Sequence, residues 1–372
     1  MLNNISKKSI VVSGVSIDSG GPLTIFKDIL SFLSSSEWGS QYEIIAIVHD
    51  EKLFDIDNVK YISIPKADNW LLRLYYEYCG FNKISQNLNS FLWLSLQVAT
   101  PRVKTERQAL YMHNPSPFYK WRLKDLSEGA RYILFAIFFK YIYRINLKSN
   151  NYLIVQQSWL RNAFSTMYSF SKKKIVVAYP PRPSEKNVTD IESKRPNQIY
   201  TFFFPALPRI FKNFEIVCEA VKILNSEGVN NFQVIQTIDG SENKYSRNIV
   251  NKYSGLKELK FIGLVPHKDI DTYYEESDCL IFPSKLETWG LPISEFSKYK
   301  KPMIIADLPY AHETASGCDL VTFFDVDNAS ELALKMKRVK DGDYTFLQSV
   351  PVMGVEEPVV SSWKKIFDIL LK

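Results

Sequence analysis

Phe282-Pro-Ser-Lys-Leu-Glu287-Thr-Trp-Gly290-Leu-Pro292-Ile-Ser-Glu295 reads as a strand end, a loop and a helix start in one line. The apolar run that closes on Phe282 has the character of a buried strand. Pro292 suits the first turn of a helix, where a missing N–H costs little. Backbone amides around Gly290 and Leu291 are therefore expected at the positive end of that helix, a setting suited to phosphate. Glu287 falls on the loop before the helix, and Glu295 lies inside it. Each carboxylate accepts hydrogen bonds from two hydroxyls, so either is chemically fit to hold a sugar ring. A capping acid at 287 and a solvated helix residue at 295 are the plain alternatives.

Outward from this stretch, short apolar β-branched runs alternate with helix-length segments. Strands are predicted near 199–204, 232–237, 259–262, 279–282, 303–305 and 320–323 in the second half. In the first half they are predicted near 9–13, 43–48, 61–64, 109–112 and 152–155. Such alternation argues for α/β architecture with parallel sheets covered on both faces. Between the halves, residues 179–197 carry Pro180, Pro181, Pro183 and Pro196 among Ser, Lys, Glu and Asp, the composition of an exposed linker. The expected layout is a domain over 1–180, a linker over 181–197, a second domain over 198–358 and a C-terminal helix over 359–372. Doubly wound sheets bind ligands at the carboxyl ends of their strands, so the expected site is a cleft where those ends face each other.

Two further elements carry chemistry. Phe202-Phe-Phe-Pro205-Ala-Leu-Pro208-Arg209-Ile-Phe-Lys212-Asn213 follows the first strand of the second half. Arg209 can neutralise a diphosphate by a bidentate fork and Lys212 as a point charge; ordinary surface charge is the alternative for either alone. Ser13-Gly14-Val-Ser16-Ile-Asp18-Ser19-Gly20-Gly21-Pro22 joins the first strand to its helix. The spacing is not G-x-G-x-x-G, which disfavours a dinucleotide-dependent dehydrogenase. Gly20 and Gly21 still permit close backbone approach to a ligand.

With these elements in order, the chain resembles the family 4 retaining glycosyltransferases of the GT-B fold, which has two Rossmann-like domains. Phe261-Ile-Gly263-Leu-Val-Pro266, Asp278-Cys-Leu-Ile-Phe-Pro283-Ser284, Tyr111-Met-His113-Asn-Pro115 and Val155-Gln-Gln-Ser-Trp159 add to the likeness. They point to enzymes of bacterial surface polysaccharide synthesis. The resemblance implies transfer of a hexose or deoxyhexose from a nucleotide-sugar donor to a lipid-linked oligosaccharide or other glycan acceptor, in lipopolysaccharide O-antigen or capsule synthesis. It assigns Glu287 to the donor sugar, Glu295 to the ribose, Arg209 and Lys212 to the diphosphate, and the backbone of Gly263, Leu264 and Val265 to the base. Gly20 and Gly21 would approach the donor phosphate or the acceptor. His113 would contact the transferred sugar or the incoming hydroxyl; a structural histidine is the alternative. Thr288-Trp289 departs from the family's Gly-aromatic pair, which bears on sugar selectivity. A GT-B epimerase and a non-catalytic sugar-nucleotide-binding partner of a synthase are the competing readings.

Composition bounds the partners. Apolar residues are 46% and charged residues 23% of the 372, as in an ordinary globular chain. The net charge of +6 comes with no nucleic-acid motif, so no nucleic acid is expected. Cys79, Cys218, Cys279 and Cys318 are widely separated, which suits reduced thiols in a cytoplasmic protein. Neither a signal peptide nor a membrane-spanning run is apparent. No metal or other cofactor is expected. Residues 119–148 hold seven bases against two acids. Their bases are expected to meet an anionic membrane surface, and their aromatics to lie in the core.

Overall fold

A computed structural model describes residues 7–18, 20–64, 70–96, 99–119, 134, 137–180 and 199–372. The predicted linker over 181–197 lies outside them. The chain divides into two compact units. The first comprises Met1–Phe118, Leu134–Pro181 and Val355–Lys372; the second comprises Tyr119–Ile133 and Arg182–Gly354.

The first unit is built on an eight-stranded sheet. Its strands are β1 (Ser9–Ser13), β2 (Glu43–Val48), β3 (Val59–Ser63), β4 (Ser90–Ser95), β5 (Arg107–Tyr111), β6 (Tyr152–Val155), β7 (Ile175–Ala178) and β14 (Val359–Val360). Their spatial order is β14-β7-β6-β5-β4-β1-β2-β3, with every pairing parallel. Alternate residues of β1 feed opposite faces. Ile10 and Val12 pack with Phe26, Ile29, Leu30 and Leu33 of the helix Gly20–Ser35, while Val11 packs with Ile45, Ile47, Phe81 and Trp93 on the other side. A strand buried on both faces must be apolar throughout, which is what Ser-Ile-Val-Val-Ser provides at its centre. Sequence pattern missed β4, the central neighbour of β1, along with β7 and β14. The β4 run Ser-Phe-Leu-Trp-Leu-Ser lacks β-branched residues, and its place is fixed by tertiary contacts such as Trp93 Nε1 donating to Ser13 Oγ at 3.0 Å.

The C-terminal segment belongs to this first unit. Val359 and Val360 pair with Val177 and Ala178. The helix Trp363–Leu371, capped by the Ser362 hydroxyl, buries Ile366, Phe367 and Leu370, and Phe367 stacks on Phe32 at 5.9 Å.

The second unit carries β8 (Tyr200–Phe204), β9 (Phe232–Gln236), β10 (Leu259–Phe261), β11 (Cys279–Phe282), β12 (Met303–Ala306) and β13 (Val321–Phe324). Their order is β10-β9-β8-β11-β12-β13, again all parallel. Numbered within its own unit, each sheet reads 3-2-1-4-5-6 through its first six strands, the doubly wound Rossmann order. The strand order reverses between β1 and β4 in one unit and between β8 and β11 in the other. Crevices outside the carboxyl ends at such reversals are where these sheets take ligands.

Candidate functional site

At the reversal point of the second sheet the chain leaves β8 after Phe204 and β11 after Phe282. The two loops that follow are tied together. Lys285 N–H donates to the Phe211 carbonyl at 2.7 Å, and Ser284 Oγ donates to the same oxygen at 3.3 Å. Asn213 sits in the left-handed region (φ 62°, ψ 44°), which Asn tolerates better than most residues. Its buried amide donates to the carbonyls of Pro283 at 3.3 Å and Val326 at 2.8 Å. These bonds bring Lys212 of the first loop against Glu287 of the second, where they form an ion pair. The pair is largely shielded, with the two side chains 16% and 13% exposed, and the ammonium lies 5.5 Å from the Phe282 ring centre. Arg209 is exposed at the start of the short turn Ile210–Lys212.

The segment after Glu287 is anchored from below. Trp289 is buried, its indole donating to Ser294 Oγ at 3.1 Å, and its carbonyl accepts the Thr314 hydroxyl. Gly290 follows at φ 92°, where a Cβ would stand 3.3 Å from the Tyr310 ring; only glycine meets both conditions easily. Tyr310 donates to the Ser284 carbonyl at 2.7 Å. Burial, with the Glu287 charge adding to it, holds its phenol well above the ordinary range. Leu291 is exposed at the start of the helix Leu291–Ser297. Glu295, on that helix, accepts a hydrogen bond from the buried Tyr274 hydroxyl at 2.8 Å. The carboxylate is thereby oriented, and Tyr274 is raised far above its usual pKa by burial and by the Glu295 charge.

Gly263 follows β10 at φ 75°, and a Cβ there would lie 2.8 Å from Asp239 Oδ2. Leu264 is exposed and Val265 half-buried beside it. Loops after β8, β9, β10 and β11 thus line one edge of this sheet. Lys212 and Glu287 are in contact, Gly290, Leu291 and Glu295 continue from them, and residues 263–265 lie on the same edge. Asn213, Tyr274, Ser284 and Tyr310 were not legible as site-shaping residues. Each acts through a partner remote in sequence, and a lone Tyr or Asn carries no pattern that reveals it.

In the first unit, Gly14 is the tight position: a Cβ there would meet the Phe26 ring at 2.4 Å. Gly20 (φ 68°) and Gly21 are exposed at the start of their helix. The His113 ring stacks on Tyr111 at 4.6 Å. Its Nε2 is buried with no hydrogen-bond partner among the described residues, and burial pushes its pKa down to about 3, so the ring is neutral. Glu77 lies on a π-helical turn, Tyr76–Gly80, a distortion frequent at functional sites. It is 1% exposed, both carboxylate oxygens lack a hydrogen-bond partner among the described residues, and burial raises its pKa to about 8 against a lowering by Arg73. Nothing but the Arg73/Glu77 helical spacing signalled this group.

Part of the basic aromatic segment, residues 120–133 and 135–136, lies outside the described residues. In the rest, Phe139, Ile142 and Tyr143 are buried as expected, whereas Leu134, Ile137, Phe138, Tyr141 and Ile145 are exposed. The expectation that this segment's aromatics lie in the core therefore holds for one face and fails for the other. Among the described residues no helix is long and apolar enough to cross a membrane.

Residues 185–345 match the family glycosyl transferases group 1. The chain is 20% identical over 231 residues to the O-antigen chain mannosyltransferase RfbU of Salmonella typhimurium, covering 61% of this chain and 60% of that protein. The chain thus matches about three fifths of the curated relative's length. The lipopolysaccharide outer core galactosyltransferase WaaB, in its apo form, superposes with a TM-score of 0.62 at 13% identity over 91% of both chains. HepE of Anabaena, in complex with UDP and glucose, gives 0.57 at 14% identity over 91% of both. The likenesses to the solved structures establish a shared two-domain fold, and the match to glycosyl transferases group 1 falls within the second unit.

Proposed function

We propose that the chain is a metal-independent, retaining glycosyltransferase of family 4. In this reading it moves a hexose or deoxyhexose from a nucleotide sugar to a lipid-linked glycan in O-antigen, lipopolysaccharide or capsule synthesis, on the cytoplasmic side of the membrane. The observation that carries the reading is the contact of Lys212 with Glu287 at the reversal point of the second sheet, beside the exposed Arg209. One cation and one carboxylate, held together on loops braced by Asn213, can divide between the two parts of a nucleotide sugar. Lys212 and Arg209 take the diphosphate, and Glu287 takes hydroxyls of the sugar. Glu295, oriented by Tyr274, suits the ribose hydroxyls, and residues 263–265 suit the base. Support for the glycan pathway comes from the match to RfbU.

In this reading the reaction runs on one face of the transferred sugar. The bond between the sugar's anomeric carbon and the phosphate oxygen breaks as the acceptor hydroxyl oxygen bonds to the same face of that carbon. The acceptor's proton passes to the departing phosphate oxygen. Arg209 and Lys212 stabilise the charge that collects there, and positioning supplies much of the rest. Neutral His113, with Gly20 and Gly21, serves the acceptor side as a hydrogen-bonding and close-approach surface.

The test is a panel of UDP-, GDP-, dTDP- and CMP-sugars, read by thermal shift and then by nucleotide release, with Glu287→Gln and Arg209→Ala beside the native chain. One donor that stabilises the protein and is turned over, with both variants impaired, is the expected result. Stabilisation with no turnover, even with lipid-linked glycan extracts added, would favour a binding partner of a synthase. If none of these donors binds, the reading is wrong.

A further inference from the structure

We propose that the base of the donor is guanine and that Asp239 selects it, its carboxylate accepting hydrogen bonds from the ring N1–H and the N2 amino group. This rests on the nucleotide-sugar reading above and narrows it to one base. Asp239 follows β9, the strand between β8 and β10. Its Oδ2 is the atom that a Cβ on Gly263 would meet at 2.8 Å, so the carboxylate lies against the first of the three residues assigned to the base. The side chain is exposed yet oriented, because Oδ1 accepts the Ser241 N–H at 2.8 Å. Hydrogen bonds from the Ser241 side chain and amide hold the carboxyl below its usual pKa, and no cation among the described residues contributes. Glu242, the other acid of this loop, is turned back on the backbone: its oxygens accept the Asp239 N–H at 2.9 Å and the Gly240 N–H at 3.1 Å. One ionised carboxylate is left facing outward.

A negative charge on the rim of a site for a diphosphate weakens binding by like-charge repulsion unless the ligand donates to it. The bases differ in what they offer. Uracil and thymine present one N3–H between two carbonyls, and cytosine and adenine each present an amino group beside a ring-nitrogen lone pair. All four set an acceptor against the carboxylate. Guanine alone presents two adjacent donors, which a carboxylate can meet with both oxygens. The neighbouring loops supply apolar surface for the faces of such a ring. Leu207 after β8, and Ile262 and Leu264 after β10, are 38–55% exposed. Leu207 is held beside the β9 loop, since Ala206 N–H donates to Thr237 Oγ1 at 2.9 Å and Asn243 Nδ2 donates to the Pro208 carbonyl at 2.9 Å. Aliphatic side chains on the loops to either side of one oriented polar group suit a flat ring with a hydrogen-bonding edge.

The experiment is titration calorimetry of the whole chain with the diphosphates of guanosine, inosine, xanthosine, uridine, adenosine and cytidine, for the native protein and Asp239→Asn. GDP is expected to bind the native chain about 10- to 100-fold tighter than UDP, ADP or CDP, as hydrogen bonds to a charged group allow. Inosine diphosphate, which lacks the N2 amino group, should fall between them, a comparison that needs no variant. In Asp239→Asn, GDP affinity should drop toward that of UDP. Xanthosine diphosphate, whose O2 can accept from the new amide, should then bind tighter than GDP; thermal unfolding without ligand would check that the variant is folded. UDP, ADP or CDP binding as tightly as GDP, or a folded variant that keeps the native preference, would overturn the proposal and leave the transferase reading standing. A preference for GDP with no turnover of any GDP-sugar would leave guanine recognition standing and remove the transferase reading. No binding of any of these nucleotides would overturn both.

Discussion

Replacing Lys212 with methionine keeps an unbranched stem beside the Phe211 and Phe282 rings and removes the charge that faces Glu287. What remains is a carboxylate only 13% exposed, without its ion-pair partner. Fully exposed pairs are worth about 0–1 kcal/mol, and breaking a fully buried one costs about 3–5 kcal/mol. A pair shielded to this degree falls between, at roughly 2 kcal/mol, which is about 4–8 °C of melting temperature for a unit of this size. Glu287→Gln in the same chain removes the stranded charge, so Lys212→Met/Glu287→Gln should recover most of that stability, giving a coupling energy of roughly 2 kcal/mol in a double-mutant cycle. Activity should behave differently. If Lys212 meets charge that develops on a leaving diphosphate, its loss costs about 100- to 1000-fold in turnover, and the second substitution restores none of it. The assay pairs urea unfolding with nucleotide release for the four proteins. Recovery of turnover in the double variant would refute the assignment, because it would mean that Lys212 only neutralises Glu287. A single variant as stable as the native chain would refute the energetic argument.

Gly263→Ala should destabilise the second unit by about 1–2 kcal/mol from the left-handed backbone alone and push Asp239 out of place. Donor affinity should fall with it, whereas Gly255→Ala, where a Cβ meets nothing within 4 Å, should leave that affinity unchanged. Glu77→Gln tests the buried carboxyl. Its folded pKa of about 8 stands above the unfolded value, so the native chain should lose stability as pH rises from about 4.3 to 8. The variant should lack that slope and be more stable at pH 7 by roughly 3 kcal/mol; an unchanged slope in urea unfolding would show that Glu77 ionises freely. His113 has the opposite sign: with a folded pKa of about 3, its contribution is present above about 6.5 and is lost as pH falls toward 3. His113→Gln should flatten that acid limb, and an imidazole resonance titrating near 6.5 would contradict its burial.

How far the sequence carried the fold depends on whether a segment's neighbours are local. Phe202–Phe204 and Cys279–Phe282 are apolar throughout because both faces of a central parallel strand are covered, and that is visible in the letters alone. The carboxyl-edge position of Lys212 and Glu287 follows from the same letters, since each lies shortly after such a strand. By contrast β4 and β14 are strands because of what lies beside them. Trp93 is placed by Ser13, eighty residues away, and Val359 by Val177. A bond of that range leaves no periodicity in either partner.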